Sequence, residues 1–355
     1  MTQPQSLTIA LLFSTPGTAW GGMERHTADL AQALAHRGHQ VHVIGHESYR
    51  RHFSTPVHFH AAPVQLGRRN PLLHFFLKRQ VHRIAPDILH AQGNKSAQLI
   101  RHIHPKRRCA RVGTIHGSKS SHRAFQNLDS VIAVSPHIFD NLDHPHKQLI
   151  FNGIAPTAES ARKGDEARIL PEGVMNVVAV GRLEPVKGFE TLIRAWAKLA
   201  GDDTNAHLSV FGEGTLKSGL QELVTSLGLE ARVTLAGYRA DLAPVYRQAD
   251  LMVISSQREG FPYVLIESLL AGCPIISTPV SGPAYLLPAQ AVSPDWEPEN
   301  LAYRLRDALS NLAALREAES AAMTFAREKL TLECMTSETE RLYREALSAS
   351  NADNT

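Results

Sequence analysis

SSQREGFPYVLIESLLAGCPIIST, residues 255–278, reads as a loop acid, a helix start and a second acid, closed by a helix stop. Pro262 suits the first turn of a helix, where its missing N–H costs nothing, and Gly272 followed by Pro274 is a sound stop. The pattern predicts a helix from Pro262 to Ala271, with Glu259 just ahead of its N-terminus. Glu267 then lies roughly 7–8 Å along the axis from Pro262, at 1.5 Å per residue. A diphosphate spans a similar length. Free N–H groups and the positive dipole end make a helix start a good place for one, leaving Glu267 to hold ribose hydroxyls and Glu259 to face a sugar.

On either side of this stretch, apolar strands alternate with helical segments. Leu7–Phe13 is a continuous apolar run of the kind expected in a buried parallel strand. A loop from Ser14 to Gly22 leads to a helix near Met23–Arg37, and Val41–Gly45 is the next strand. Short strands follow near Ile88–Ala91, Arg111–Ile115 and Ser130–Val134. After a polar stretch at 155–173, the alternation resumes with strands at Val174–Gly181, His207–Gly212, Arg232–Ala236, Leu251–Ser255 and Pro274–Ser277. Such a pattern predicts doubly wound parallel sheets. At 355 residues the chain suits two domains. They are expected at 1–160 and 161–334, joined by the polar linker. The tail from Asn300 to Ser348 is helical in pattern, and the closing SASNADNT is expected to be disordered.

The segment at 255–278 resembles the acidic-pair motif of the retaining family 4 glycosyltransferases, also called glycosyl transferases group 1, which have the GT-B fold. Other blocks resemble the same family in the same order. They are GGMERHTADLAQALAHRGHQVHVI (21–44), TIHG (114–117), VIAVSP (131–136) and FNGI (151–154). VAVGRLEPVKGFETLIRAW (178–196), VFGEGTLK (210–217) and LAGYRADLAPVYRQADLMVISS (235–256) follow. Two departures stand out: Ala155 ends the Asn-Gly-Ile block where Asp is usual, and Ser-Leu-Leu-Ala follows the second acid in place of Ala-Met-Ala. Both keep the shape of the pattern.

The resemblance implies two Rossmann-like domains facing a central cleft, with the N-terminal one binding the acceptor and the C-terminal one the nucleotide-sugar. It also implies that residues 335–355 cross back to the N-terminal domain. Arg182 and Lys187, just past a strand, would neutralise the departing diphosphate, because fixed cations stabilise charge that develops there. Glu259 would orient the donor sugar, and His116 would bond one of its hydroxyls. Gly21 and Gly22 would approach the donor phosphate, with Glu24 and Arg25 touching the acceptor. Gly212 lies in the loop beneath the nucleoside and Arg239 in the loop whose backbone reads the base. Gly260, Phe261, Pro262 and Leu265 complete the helix start, and Glu267 holds the ribose. Retention without an enzyme nucleophile implies front-face attack, with the leaving phosphate helping to deprotonate the acceptor hydroxyl. The sequence contains no Asp-x-Asp, so no metal and no cofactor are expected.

Composition narrows the partners. The net charge is +3, yet residues 1–160 hold 18 Lys/Arg against 8 Asp/Glu, while the rest of the chain is acidic. The densest basic run is Arg101–Arg111, preceded by Arg68, Arg69, Lys78, Arg79 and Arg83. In such a transferase this implies peripheral docking on an anionic membrane surface or a phosphorylated acceptor. The basic stretches lack interleaved aromatics, so nucleic acid is not expected. LTIALLF at 7–13 is too short to span a bilayer, and three distant cysteines show no disulfide or metal spacing. A cytoplasmic location follows. The leading expectation is a metal-independent transferase moving a sugar from a UDP-sugar to a cell-envelope glycan or lipid-linked acceptor such as lipopolysaccharide core. A nucleotide-sugar epimerase of the same fold and a non-catalytic nucleotide-sugar-binding protein remain open as alternatives.

Overall fold

A computed structural model describes residues 5–17, 20–117, 122–155, 167–199 and 205–352. The chain forms two compact units: one takes the chain to Ala155 and again from Thr331, and the other ends at Leu330. Unit 1 carries strands β1 (Thr8–Phe13), β2 (Gln40–Gly45), β3 (His58–Ala61), β4 (Ile88–Gln92), β5 (Ala110–Ile115), β6 (Ser130–Ala133) and β7 (Lys147–Leu149). They pair in parallel in the order β3-β2-β1-β4-β5-β6-β7. Helices α1 (Gly22–His36), α2 (Pro71–Ile84), α3 (Gly93–Ile100) and α4 (Pro136–Asp140) connect them. Past Thr8 the central strand β1 is apolar because both its faces are covered, and Ile9 to Phe13 are fully buried.

Unit 2 repeats the plan with β8 (Met175–Val180), β9 (Ala206–Phe211), β10 (Val233–Gly237), β11 (Leu251–Ile254) and β12 (Ile275–Ser277), parallel in the order β10-β9-β8-β11-β12. Its helices are α5 (Phe189–Ala197), α6 (Lys217–Ser226), α7 (Ala243–Gln248), α8 (Tyr263–Ala271), α9 (Ser281–Leu286), α10 (Pro298–Ser310), α11 (Leu312–Ala318) and α12 (Ser320–Lys329). In both sheets the strand order reverses beside the first strand, between β1 and β4 and between β8 and β11. Open α/β sheets bind ligands at that point, outside the carboxyl ends of the strands.

The last helix, α13 (Leu332–Ala352), belongs to unit 1. Met335, Leu342, Tyr343 and Ala346 join Leu30 and Leu34 of α1 in the core over β1. The block at 151–154 anchors its start: the Leu332 amide donates to the Ile154 carbonyl at 2.8 Å, and Gly153 lies against the Thr331 carbonyl where a Cβ would collide.

Several expectations need correction. Pro262 does not occupy the first turn of α8; it is the extended N-cap, with φ −72° and ψ 138°, and the helix starts at Tyr263. The tail expected to be disordered is helical through Ala352, continuing α13, whose Met335, Leu342, Tyr343 and Ala346 pack in the unit 1 core; residues 353–355 lie outside the described residues. Of the polar linker, 156–166 lie outside them too, as do residues 18 and 19 of the loop after β1. In the described part of the linker, the Ile169 amide donates to Gln248 Oε1 of α7 at 2.9 Å. Strands β3 and β7 were not expected. They are short, lie at the sheet edges and carry polar residues, so no apolar run marks them.

One buried carboxyl sets a pH dependence. Glu319 is fully buried, and both its oxygens accept from the Ile275 amide, at 3.0 and 3.1 Å. Burial pushes its pKa up to about 8, against the smaller opposing effect of that amide. The folded state therefore keeps a proton that the unfolded chain, with an ordinary carboxyl near about 4.3, has already lost. The stability that Glu319 contributes is fully present below that lower value and is lost as pH rises toward about 8. Above the ordinary histidine range, about 6.5, where the buried neutral histidines no longer contribute a slope, thermal unfolding should show Tm falling toward about pH 8, and Glu319→Gln should remove most of that slope. Parallel profiles for the two proteins would refute it.

Candidate active site

In unit 2 the residues singled out by sequence collect along the carboxyl edge of the sheet. After β8, Gly181 leads to Arg182 and a 3₁₀ turn, Pro185–Lys187, that ends on Gly188 with φ +65°. Gly188 packs against the Ser255 carbonyl so closely that a Cβ would collide with it. Three bonds join this turn to the loop after β11: the Gln257 amide to the Val186 carbonyl at 2.9 Å, Ser255 Oγ to the Lys187 carbonyl at 2.9 Å, and Lys187 Nζ to Glu259 Oε1 at 2.5 Å. Ser256 Oγ also donates to Glu259 Oε1 at 2.9 Å. Lys187 and Glu259 are both mostly buried, so solvent screens their pairing little. The switch point thus carries a preformed cation–carboxylate pair. The Arg182 guanidinium is exposed and has no ion-pair partner among the described residues.

Gly260, Phe261 and Pro262 lead into α8, whose start no side chain caps. Phe261 and Leu265 are buried and seat the helix. Gly282 lies against both of these side chains and Pro262. Uncapped amides at a helix start attract anions. Further along α8, Glu267 Oε2 accepts from the Tyr246 hydroxyl of α7 at 2.9 Å, which fixes the carboxylate's orientation. Gly212, with φ +148°, runs so close to the Gly181 carbonyl that a Cβ would collide, and its amide donates to the Gly237 carbonyl at 2.8 Å. Arg239 bonds the Asp241 carbonyl at 2.8 Å. An uncapped helix start, two cations and an oriented carboxylate can together hold a diphosphate-bearing ligand.

In unit 1, His116 follows β5 and its Nε2 lies 2.7 Å from Gln92 Oε1, at the end of β4. The NH2 end of Gln92 lies 3.4 and 3.5 Å from the two ring nitrogens of His90, an electron-rich ring that suits a donor. A carbonyl oxygen only accepts, so the His116 proton sits on Nε2 and Nδ1 keeps its lone pair. His90 itself lies between Thr114 Oγ1 at 2.8 Å and the Tyr343 hydroxyl of α13 at 2.6 Å. His26 of α1 meets His116 edge-on at 4.7 Å between centroids, and bonds Asn152 at 3.1 Å. Burial pushes the His26 ring down to about 4 and the His90 ring to about 3, and holds His116 well below the ordinary histidine range. All three stay neutral at neutral pH.

Gly21 and Gly22 lie at the start of α1, but the two residues expected to touch an acceptor are otherwise engaged. Glu24 is buried, and its Oε2 accepts from the Gly21 amide at 3.0 Å as a helix cap. Arg25 pairs with Asp29 one turn on, at 3.6 Å. Instead, Met23 reaches a cavity that His116 also lines. Gln92, His90, Tyr343, Ser256 and Tyr246 were missed. Of these, Gln92 alone carried a signal: it ends a strand and precedes glycine, as Ile115-His116-Gly117 does at the next strand. Among the described residues, no cluster of three His, Cys, Asp or Glu is arranged to hold a metal ion, and no helix is long and apolar enough to cross a membrane.

Two family models cover most of the chain: Glycosyltransferase Family 4 over residues 20–157 and Glycosyl transferases group 1 over residues 163–323. The sequence is 28% identical to the lipopolysaccharide core biosynthesis glycosyltransferase LpsE of Rhizobium meliloti (strain 1021) over 75% of this chain and 78% of LpsE. Among solved structures, a glycosyltransferase from Rickettsia africae ESF-5 matches with a TM-score of 0.78 at 20% identity, covering 96% of this chain and 98% of that one. Anabaena HepE in complex with UDP-glucose matches with a TM-score of 0.76 at 20% identity, covering 97% and 100%. These structural likenesses carry the GT-B fold.

Proposed function

From the premise that this chain belongs to the group 1, family 4 glycosyltransferases, we propose that it transfers a sugar, with retention, from a UDP-sugar to a cell-envelope glycan or lipid-linked acceptor. Lipopolysaccharide core is the first acceptor to consider. The observation that carries the reading is the switch point of unit 2, where the Lys187–Glu259 pair, Arg182 and the uncapped start of α8 lie along one sheet edge. In the proposed reaction the donor's glycosidic C–O bond breaks and the diphosphate leaves with the electron pair. Arg182, Lys187 and the amides of α8 stabilise that charge. The acceptor oxygen bonds the anomeric carbon from the same face, and its proton passes to the departing phosphate oxygen. Glu259 orients the donor sugar, held in place by Lys187 and Ser256. Glu267 binds the ribose. The absence of any Asp-x-Asp in the sequence supports a diphosphate held by protein cations without a metal. The complex of HepE with UDP-glucose supports the uridine donor, and the role in LpsE's name supports the acceptor class.

Nucleoside diphosphate release from UDP-, GDP- and ADP-sugars, with and without chelator and envelope glycolipid, tests this reading. Release from a UDP-sugar, unaffected by chelator and raised by glycolipid, is expected. Release only with added divalent metal, or only from another base, would overturn the corresponding part.

Membrane docking is the proposed means of reaching a lipid-linked acceptor. Residues 48–128 hold 15 Lys/Arg and one carboxylate, Asp87. On α2, Leu72 and Phe75 are 63% and 66% exposed, and Lys78 and Arg79 are exposed beside them. Basic residues around exposed apolar tips suit an anionic bilayer surface. Inserting each apolar side chain is worth about 1.5–3 kcal/mol. Replacing both Leu72 and Phe75 with Asp should therefore reduce sedimentation with phosphatidylglycerol vesicles about 10-fold or more. Equal binding of the variant would remove this face from consideration.

A further inference from the structure

Residues 255–259 lead from β11 toward α8 and carry Glu259, and bonds on two sides hold them, all within unit 2. On the β8 side, the Gln257 amide donates to the Val186 carbonyl at 2.9 Å and Ser255 Oγ to the Lys187 carbonyl at 2.9 Å. On the β12 side, the Ser256 carbonyl accepts from Thr278 Oγ1 at 2.6 Å and from the indole Nε1 of Trp296 at 3.2 Å. A carbonyl oxygen has two lone pairs and an amide one proton. The peptide between Ser256 and Gln257 therefore has every hydrogen-bonding valence filled. The two donors to its oxygen are unequal. Thr278 Oγ1 also lies 3.2 Å from the Ile254 carbonyl, so its single proton is shared between two acceptors. The Trp296 indole has one N–H to give, and it gives it to Ser256.

A braced turn, and not burial, sets Trp296 in place. Val292 bridges Ser277 of β12, and the Ser293 amide donates to the Ser277 carbonyl at 2.7 Å, which lays the segment beside the end of that strand. Asp295 then closes the turn: its Oδ1 accepts from the Glu297 amide at 2.9 Å and its Oδ2 from Asn300 Nδ2 at 2.8 Å. Pro298 opens α10 directly after. The indole is 45% exposed, so apolar burial is a weak reason for a tryptophan here. Its N–H is the part that the fold uses.

We propose that Trp296 is a positioning residue for Glu259: its N–H fixes the Ser256–Gln257 peptide, and the Ser256 hydroxyl in turn donates to Glu259 Oε1 at 2.9 Å. Lys187 Nζ meets the same carboxylate oxygen. Two donors on one oxygen set the plane of the carboxylate, and the serine is the one whose place Trp296 controls. The inference deepens the assignment of Glu259 as the group that orients the donor sugar, and rests on it. A reacting group displaced by about 1 Å can cost about 100-fold in rate. Loss of one of two donors to a carbonyl displaces Ser256 less, and the loss of a single neutral bond sets the scale at about 2- to 10-fold.

Full-length protein labelled with ¹⁵N at the tryptophan indoles tests the link without turnover. The chain has three tryptophans, so three indole signals are expected, and Trp296→Phe assigns the one in question. Glu259→Gln gives the Ser256 hydroxyl a weaker acceptor and should shift the Trp296 indole signal. Glu267→Gln, on α8, should leave that signal in place. A Trp296 signal that does not respond to Glu259→Gln would overturn the proposal.

Turnover separates positioning from binding. With the nucleotide-sugar found to react, Trp296→Phe should lower kcat about 2- to 10-fold while affinity for UDP stays within about twofold. In a Ser256→Ala background the same replacement should cause no further loss, since the hydroxyl that carries the effect is gone. Additive losses, or an unchanged kcat, would overturn the proposal. So would a loss confined to acceptor KM and larger in Trp296→Ala than in Trp296→Phe, which would make the exposed ring a platform for the acceptor. If no nucleotide-sugar is turned over, the transferase reading fails, and the indole spectrum still decides whether Trp296 and Glu259 are coupled.

Discussion

Lys187→Ala is expected to lower turnover about 100- to 1,000-fold, the range seen when a preorganised charge partner of a transition state is removed. Two losses combine. The ammonium no longer meets the diphosphate as its charge develops, and Glu259, mostly buried and bonded to Lys187 at 2.5 Å, is left beside the same diphosphate with Ser256 as its one side-chain partner among the described residues. An unpaired carboxylate next to a leaving anion raises the barrier further by repulsion. Because the two side chains act as a unit, the effects of Lys187→Ala and Glu259→Ala should not add, and the double variant should be little slower than Lys187→Ala alone. Additive losses would mean that the two residues act independently, and a Lys187→Ala enzyme within about threefold of wild type would remove the leaving-group role assigned here. Binding of the intact nucleotide-sugar should change far less than turnover, since the largest charge appears only as the bond breaks.

Glu267→Ala should mainly weaken nucleotide binding. A carboxylate that accepts two ribose hydroxyls makes charge-assisted hydrogen bonds worth about 1.5–3 kcal/mol, or roughly a 10- to 150-fold loss in affinity. Calorimetry with nucleoside diphosphate reads this without needing the sugar or the acceptor. Tyr246→Phe is the informative companion. The Tyr246 hydroxyl lies 2.9 Å from Glu267 Oε2 and orients the carboxylate, so its removal should cost only about 2- to 10-fold. Unchanged affinity in Glu267→Ala would refute the ribose role, whereas a loss in Tyr246→Phe as large as in Glu267→Ala would transfer that role to the tyrosine.

The sequence by itself determined the parts of this protein that rest on local patterns. Apolar runs such as Leu7–Phe13 are of the kind expected in strands buried on both faces, and their alternation with helices predicts parallel sheets. Glycine and proline at 260–274 mark the ends of α8, and the order of the motif blocks carries the family. Boundaries were legible to within a residue or two, as at α8, where Pro262 proved to be the cap.

Only the tertiary structure decided which side chains meet. Lys187 and Glu259 are 72 residues apart and come together because the chain crosses from one side of β8 to the other before β11. The family resemblance implied that Glu24 touches the acceptor, and in the fold its carboxylate accepts from the Gly21 amide as a helix cap. The tautomer of His116 depends on Gln92 from the neighbouring strand, which lies beside His90, itself bonded to Tyr343 from the far end of the chain. No local signal carries such pairings, since they depend on strand order and register. The polar edge strands β3 and β7 were missed for the same reason: their pairing comes from the neighbouring strand and not from their own hydrophobicity. Secondary structure follows from short-range periodicity, which a sequence displays directly, whereas the chemistry of a site follows from long-range contacts that exist only once the core has formed.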